Sequence, residues 1–305
     1  MKRSAFTLVE LLVVIAVIIM LVAILIPAVS AAREYARRNQ CLSQQRSLVL
    51  AVITYDKESD GLPGSLDRLG TTPLRSWVVS ILPLIGEQKR YDALMSGLPL
   101  PPEALVSPPV LLCPSDSSEG DARLNYVVNC GPAEWNAGIN GDNAPYFTLC
   151  RDRRRPNPSD PLDTTIDLTS INKKVKIEDI PDGASNTILL TENLDAGVWY
   201  QDWRTAPNIP NELPTGMGVH TRNKNTVANL GFIWAPLAAY QPNATANGPV
   251  PRPSSKHPNV VIAAFADGTA RAINNDISQR EWLRAVCPDD EKAREPFNTG
   301  GLNLP

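Results

Sequence analysis

From Leu11 to Val29 the chain runs for 19 residues without a charge, with Pro27 the only helix breaker, and Phe6 to Val9 extend the apolar run beyond Glu10. As a helix this is long enough to span a bilayer, whereas a secretory signal core needs only about 7–15 residues. Ala28, Val29 and Ser30 make a small-residue pattern that a signal peptidase would accept, so a cleaved signal is the weaker alternative. No Cys closes the run, and a lipoprotein anchor is not offered. Glu10 is the exception inside the apolar stretch: a carboxylate there is costly unless it meets a cation.

The string Lys2-Arg3-Ser4-Ala5-Phe6-Thr7-Leu8-Val9-Glu10-Leu11 resembles the N-terminus of type IV prepilins and type II secretion pseudopilins. The resemblance implies that a prepilin peptidase removes residues 1–5 by cutting between Ala5 and Phe6, and that the new Phe6 amine is methylated. It also implies that Glu10 pairs with the amine of a neighbouring subunit, and that Pro27 occupies the position of a helix-perturbing proline. Ala5 stands where the family usually has Gly. Lys2 and Arg3 precede the span while Arg33, Arg37, Arg38 and Arg46 follow it, offset by Glu34, so charge bias gives no clear orientation. The prepilin resemblance implies a cytoplasmic N-terminus and a single-pass anchor in the inner membrane, with the rest in the periplasm or outside the cell.

Residues 28–55 contain no Gly or Pro, and Ala31, Tyr35, Leu42, Leu48, Val49, Val52 and Ile53 recur at spacings near three and four. This predicts an amphipathic helix continuing the apolar one to about Asp56, before Gly61-Leu62-Pro63-Gly64. The expected organisation is a leader over 1–5, a transmembrane helix over 6–29, an amphipathic helix over 30–56 and an extracytoplasmic head over 57–305. Pro 28 of 305 residues makes the head rich in loops. Residues 76–83 and 88–94 read as short helices. Tyr126-Val127-Val128, residues 187–191 and residues 260–266 read as strands, with long loops over 131–165 and 204–258. Asp267-Gly268 between two β-branched runs predicts a hairpin. The fold class is α+β and pilin-like: a long N-terminal helix packed on a loop-rich antiparallel sheet.

A second set of motifs runs through most of the chain: Arg38-Asn39-Gln40-Cys41, Ser76-Trp77, Leu112-Cys113-Pro114-Ser115-Asp116, Asn125-Tyr126, Asp182-Gly183-Ala184-Ser185-Asn186-Thr187 and Glu192, then His257 followed after nine residues by Asp267-Gly268. In this order they resemble DUF1559, a family of unknown function with a prepilin-type N-terminus and an H-x9-DG signature, part of which carries a solute-binding label. The resemblance marks Cys41, Cys113, Asp182, Gly183, Asn186, Glu192, His257, Asp267 and Gly268 as signature positions of unknown role. Pairing of Cys41 with Cys113 would staple the head to the helix, with Cys130–Cys150 the next candidate pair.

The chemistry available is limited. The chain has two histidines, His220 and His257, and five cysteines, Cys41, Cys113, Cys130, Cys150 and Cys287, with no C-x-x-C arrangement. A His-based triad, a multi-His zinc site and thioredoxin-like chemistry are poorly supported. No G-x-S-x-G, P-loop or dinucleotide motif occurs. His257 and Asp267 would be about 30 Å apart if residues 258–266 form a strand, so His257 is expected to cap a loop or bond a backbone carbonyl, and Asp182 and Asp267 to serve turns. Some pseudopilin heads hold Ca²⁺ in a loop and Asp and Asn oxygens are plentiful, but no ordered calcium loop is present; no cofactor or metal is assigned. The basic run Arg151 to Arg155 is interrupted by Asp152 and followed by Asp160, Asp163 and Asp167, and the net charge is −3, so a nucleic-acid partner is not expected. The expected function is a non-enzymatic, membrane-anchored pilin-like or pseudopilin-like subunit that assembles with itself or other pilin-like subunits. The alternative is a permanently anchored binding module for a solute, glycan or protein partner, and a secreted enzyme is the least supported.

Overall fold

A computed structural model of the chain describes residues 8–64, 66–67, 75–96, 106–117, 123–132, 149–150, 152–153, 174–194, 196, 199, 231–234, 242 and 253–289. The first element, α1 (Leu8–Glu58), is one helix of 51 residues, about 75 Å long at 1.5 Å per residue. It passes through Pro27 and past Val29 without interruption, so the amphipathic segment continues the apolar one as the sequence predicts. It stops at Asp60, with φ 57, and Gly61, with φ 137. The Gly61 N–H closes on Asp56 O at 2.9 Å. A Cβ on Gly61 would lie 2.5 Å from Lys174 Cβ, so both the backbone and the space select glycine there.

The two halves of α1 differ in what they touch. Side chains from Leu8 to Ile26 are exposed on every side, while Cys41, Gln45, Leu48, Val49, Ala51 and Val52 are buried in the head. Steps of three and four carry this buried stripe along one face of the helix. Ala31 and Tyr35, expected on the stripe, are exposed instead; the described head reaches up the helix only as far as Glu34, whose carboxylate meets Ser115 and His257.

The strands that receive this face form a five-stranded sheet in the order β6-β3-β5-β7-β8, with β3 (Tyr126–Pro132), β5 (Ile188–Glu192), β6 (Gly231–Trp234), β7 (Val260–Phe265) and β8 (Ala270–Asn274). Neighbours are antiparallel except β6, which pairs parallel with β3. The α+β, pilin-like expectation holds, with two corrections: β6 lies within residues 204–258 and a two-residue strand, Asp152–Arg153, within residues 131–165, both read from the sequence as loop. A small second sheet joins β1 (Leu66–Asp67) to β2 (Arg75–Ser76) and β4 (Asp152–Arg153).

Short helices close the head. Ser76 caps α2 (Trp77–Ile81) by accepting from Val79 N–H at 3.2 Å and donates to Trp199 O at 2.6 Å. A 3-10 turn over Leu82–Ile85 and α3 (Gln88–Met95) follow, as the sequence predicts. The last helix, α4 (Gln279–Val286), was not expected. Its start is nonetheless written as Ser278-x-x-Glu281, a reciprocal cap in which Ser278 Oγ accepts from Glu281 N–H and Glu281 Oε2 accepts from Ser278 N–H. It seals the sheet with Trp282, which is buried.

The predicted hairpin is β7–β8. Asp267 Oδ1 accepts from Thr269 N–H at 2.9 Å and Thr269 Oγ1 at 2.7 Å, and Gly268 takes φ 90. A Cβ on Gly268 would stand 3.2 Å from Leu50 Cδ2, so the turn lies directly on α1. Gly268→Ala, facing both the left-handed backbone and that contact, is expected to cost about 1–3 kcal/mol, and Leu48→Ala about 2–5 kcal/mol. Thermal unfolding of the detergent-solubilised full chain measures both.

Candidate functional site

The signature residues fall into two groups. Asp182, Gly183 and Asn186 build a turn before β5: Gly183 has φ 85, and Asn186 Nδ2 donates to Asp182 O at 2.9 Å. This turn meets the β7–β8 turn, since Asp267 N–H donates to Ala184 O and Ala266 N–H to Thr187 O. Asp267 and Gly268 thus do the turn work expected of them. His257 and Asp267 stand at opposite ends of β7, so they form no pair.

The second group converges at the point where α1 enters the head. α1 supplies Glu34 and Cys41, two turns apart on one face. The loop after a 3-10 turn at Pro109–Leu111 supplies Cys113 and Ser115, the last residue of β5 supplies Glu192, and the loop before β7 supplies His257. Cys41, Cys113, Glu192 and His257 are all buried, and their ligand-type atoms lie within 4.8 Å of one another.

Local bonds explain why these loops hold position. Cys113 N–H donates to Asn125 Oδ1 at 3.0 Å, and Asn125 Nδ2 donates to Asp116 Oδ2 at 2.6 Å. Asp116 also pairs with Arg123. The His257 loop is tied to the end of β5 by Ser254 N–H to Glu192 O and by Leu194 N–H to Ser254 Oγ. Pairing of β5 with β7 runs out after Thr191–Ala263, and side chains take over the next backbone groups. Glu192 Oε2 accepts from Ile262 N–H at 2.8 Å, while Gln45 Nε2 and Thr191 Oγ1 donate to Ile262 O.

His257 does not bond a backbone carbonyl through its ring, as the sequence had suggested. Its Nδ1 faces Glu34 Oε1 at 2.5 Å, and its Nε2 faces Glu192 Oε1 at 3.4 Å and Cys113 Sγ at 3.5 Å. Burial pushes the imidazole toward neutrality, but the surrounding Cys113, Glu192 and Glu34 outweigh it and raise its pKa to about 10. Burial likewise would raise Glu34, yet bonds from His257 and Arg37 hold it below the usual carboxylate range. The Cys113 thiol is pushed up by its contact with Cys41 and by burial, and the buried Tyr126 phenol beside them is pushed up too. The sulfurs of Cys41 and Cys113 lie 2.6 Å apart.

The first-expected cysteine pair is therefore brought together. For Cys130–Cys150, the Cys130 side chain lies outside the described residues, as do Ala5 and Phe6. Glu10 and Pro27 lie within the exposed half of α1. Sequence reading missed the part played by Glu34 and Ser115. The spacing of the cysteines carried no hint of the cluster, because its members come from four separate elements.

Two chemical capacities follow. The cluster of two thiols, an imidazole and a carboxylate can hold a metal ion, and α1 is long and apolar enough to cross a membrane, as an anchor or a signal sequence. Residues 30–280 match a family described as "Protein of unknown function (DUF1559)"; the match begins where the apolar run ends and takes in every residue of the cluster. No curated protein and no solved structure matches the chain. Asn125→Ala would remove the acceptor of the buried Cys113 N–H and one of the donors to Asp116, an expected loss of about 1–3 kcal/mol in the thermal unfolding of the full chain.

Proposed function

The chain belongs to the DUF1559 family, and on that premise we propose that it is a pilin-like structural subunit, anchored by α1 in the inner membrane with its head in the periplasm or at the cell exterior. The observation that carries the reading is the division of α1. One half of a continuous helix is apolar and exposed all round, and the other half is built into the head. Exposed apolar surface of that extent calls for lipid or for like helices.

Processing between Ala5 and Phe6 by a prepilin peptidase would leave Phe6 as the first residue, with Glu10 a few residues into the apolar run. In a fibre, the apolar helices pack side by side and Glu10 neutralises the Phe6 amine of an adjacent subunit, so that neither charge stays alone in a low-dielectric bundle. The heads then pack outside. The partners are the membrane, the peptidase, and further copies or other pilin-like subunits; the role is structural, not enzymatic.

Intact mass and N-terminal peptide mapping of the membrane-extracted protein test the processing step, with N-methylated Phe6 the expected start. A retained Met1 would favour a permanently anchored binding module, and a start near Ala31 would make the helix a discarded signal. Glu10→Ala is expected to abolish fibre assembly while leaving the protein membrane-bound with a folded head, as read by sheared-fibre yield and by thermal unfolding. Wild-type fibre yield from that variant would overturn the assembly mechanism.

A further inference from the structure

At the junction of α1 and the head, four side chains of metal-binding type surround one point, each from a different element and each buried. Two of their mutual distances match those of ligands on a single ion. Around tetrahedral zinc, with bonds of about 2.0–2.3 Å, neighbouring donor atoms lie roughly 3.3–3.8 Å apart. His257 Nε2 is 3.5 Å from Cys113 Sγ and 3.4 Å from Glu192 Oε1. The 2.6 Å sulfur pair would have to open by about 1 Å to meet the same geometry.

Two further observations point to a cation. Glu192 is anchored through Oε2 on Ile262 N–H, while its buried Oε1 is turned into the cluster, 3.4 Å from His257 Nε2 and without a well-formed hydrogen bond; a buried carboxylate oxygen placed so favours a cation beside it. On the other side of the ring, the Glu34 carboxylate sits on His257 Nδ1 at 2.5 Å and is itself held by Arg37 and Ser115. A carboxylate on the outer nitrogen keeps the proton on Nδ1 and turns the Nε2 lone pair toward the cluster, as in many histidine–metal sites. A disulfide between Cys41 and Cys113 would use the sulfurs and leave the His257 imidazolium as the counter-charge between Glu34 and Glu192.

We propose that Cys41, Cys113, Glu192 and His257 bind one zinc ion, oriented by Glu34, and that this ion clamps α1 to the head. Two thiolates, an imidazole and a carboxylate form a borderline-soft donor set suited to zinc. Four protein ligands in a buried site make it closed, hence structural. On binding, the two thiols and His257 Nε2 give up their protons to solvent, leaving the imidazole proton on Nδ1 against Glu34. The inference does not depend on whether the chain assembles into a fibre.

The test is elemental analysis of the full chain extracted in detergent, together with peptide mapping under non-reducing conditions. The expected result is about one zinc per chain, with Cys41 and Cys113 unlinked. Cys113→Ser is expected to lose the metal and Cys150→Ser to keep it. Glu34→Gln, which alters only the positioning residue, is expected to keep the stoichiometry with zinc affinity lowered about 10–100-fold. Cobalt(II) added to chelator-treated wild-type protein gives a readout that needs no variant to fold: a thiolate-to-cobalt charge-transfer band is expected. Wild-type protein free of metal with Cys41 joined to Cys113, or a wild-type chain that takes up cobalt without that band, would overturn the proposal.

Discussion

The head is assembled on one face of α1, and the contact between that face and β7 is what the rest of the structure depends on. Leu48, Val49 and Val52 are fully buried there, each contributing about 1.5–3 kcal/mol by removal from water. Gln45 enters the same seam and reaches Ile262 O. Ile262 is where β5 ceases to pair with β7, and Gln45, Thr191 and Glu192 replace the missing ladder bonds. Helix and sheet are therefore interlocked by apolar area and by buried hydrogen bonds. Removing the helix would take from Pro109 O and the Tyr126 hydroxyl the bonds they make to Gln44 as well as expose the core.

That interlock also places the charged cluster. Because Gln45 fixes the helix against Ile262, Cys41 lies one turn above it and Glu34 about two turns above that, at the edge of the head. Glu192, held on the N–H of the same Ile262, is brought beneath them, and the loop tied to its backbone brings His257. The cluster thus occupies the junction between the exposed rod and the head, where a bending load on the helix would concentrate. The zinc ion proposed for that point would stiffen the joint without altering either part.

Much of this was legible in the sequence. The apolar run and the periodic residues beyond it gave α1, and β-branched runs gave β3, β5 and β7. Asp267-Gly268 gave the final hairpin, since turn chemistry is local. Ala31 and Tyr35 were misplaced because periodicity shows which face of a helix is apolar, not how far a partner reaches along it. β6 was missed because Gly231-Phe232-Ile233-Trp234 is short, preceded by polar sequence with Asn223, Asn225 and Asn229 and closely followed by Pro236. α4 was missed although Ser278 and Glu281 announce its start.

The sequence by itself determined the elements whose causes lie within a few residues: a helix long enough for a bilayer, the strands, the turns and the caps. It also marked Cys41, Cys113, Glu192 and His257 as signature positions while giving them no common role. Only the tertiary structure decided that they meet, and that Glu34 completes them. The reason is physical: ligand distance is set by how α1, the Cys113 loop, β5 and the His257 loop pack on one another, and contacts across more than two hundred residues leave no period or spacing in the chain.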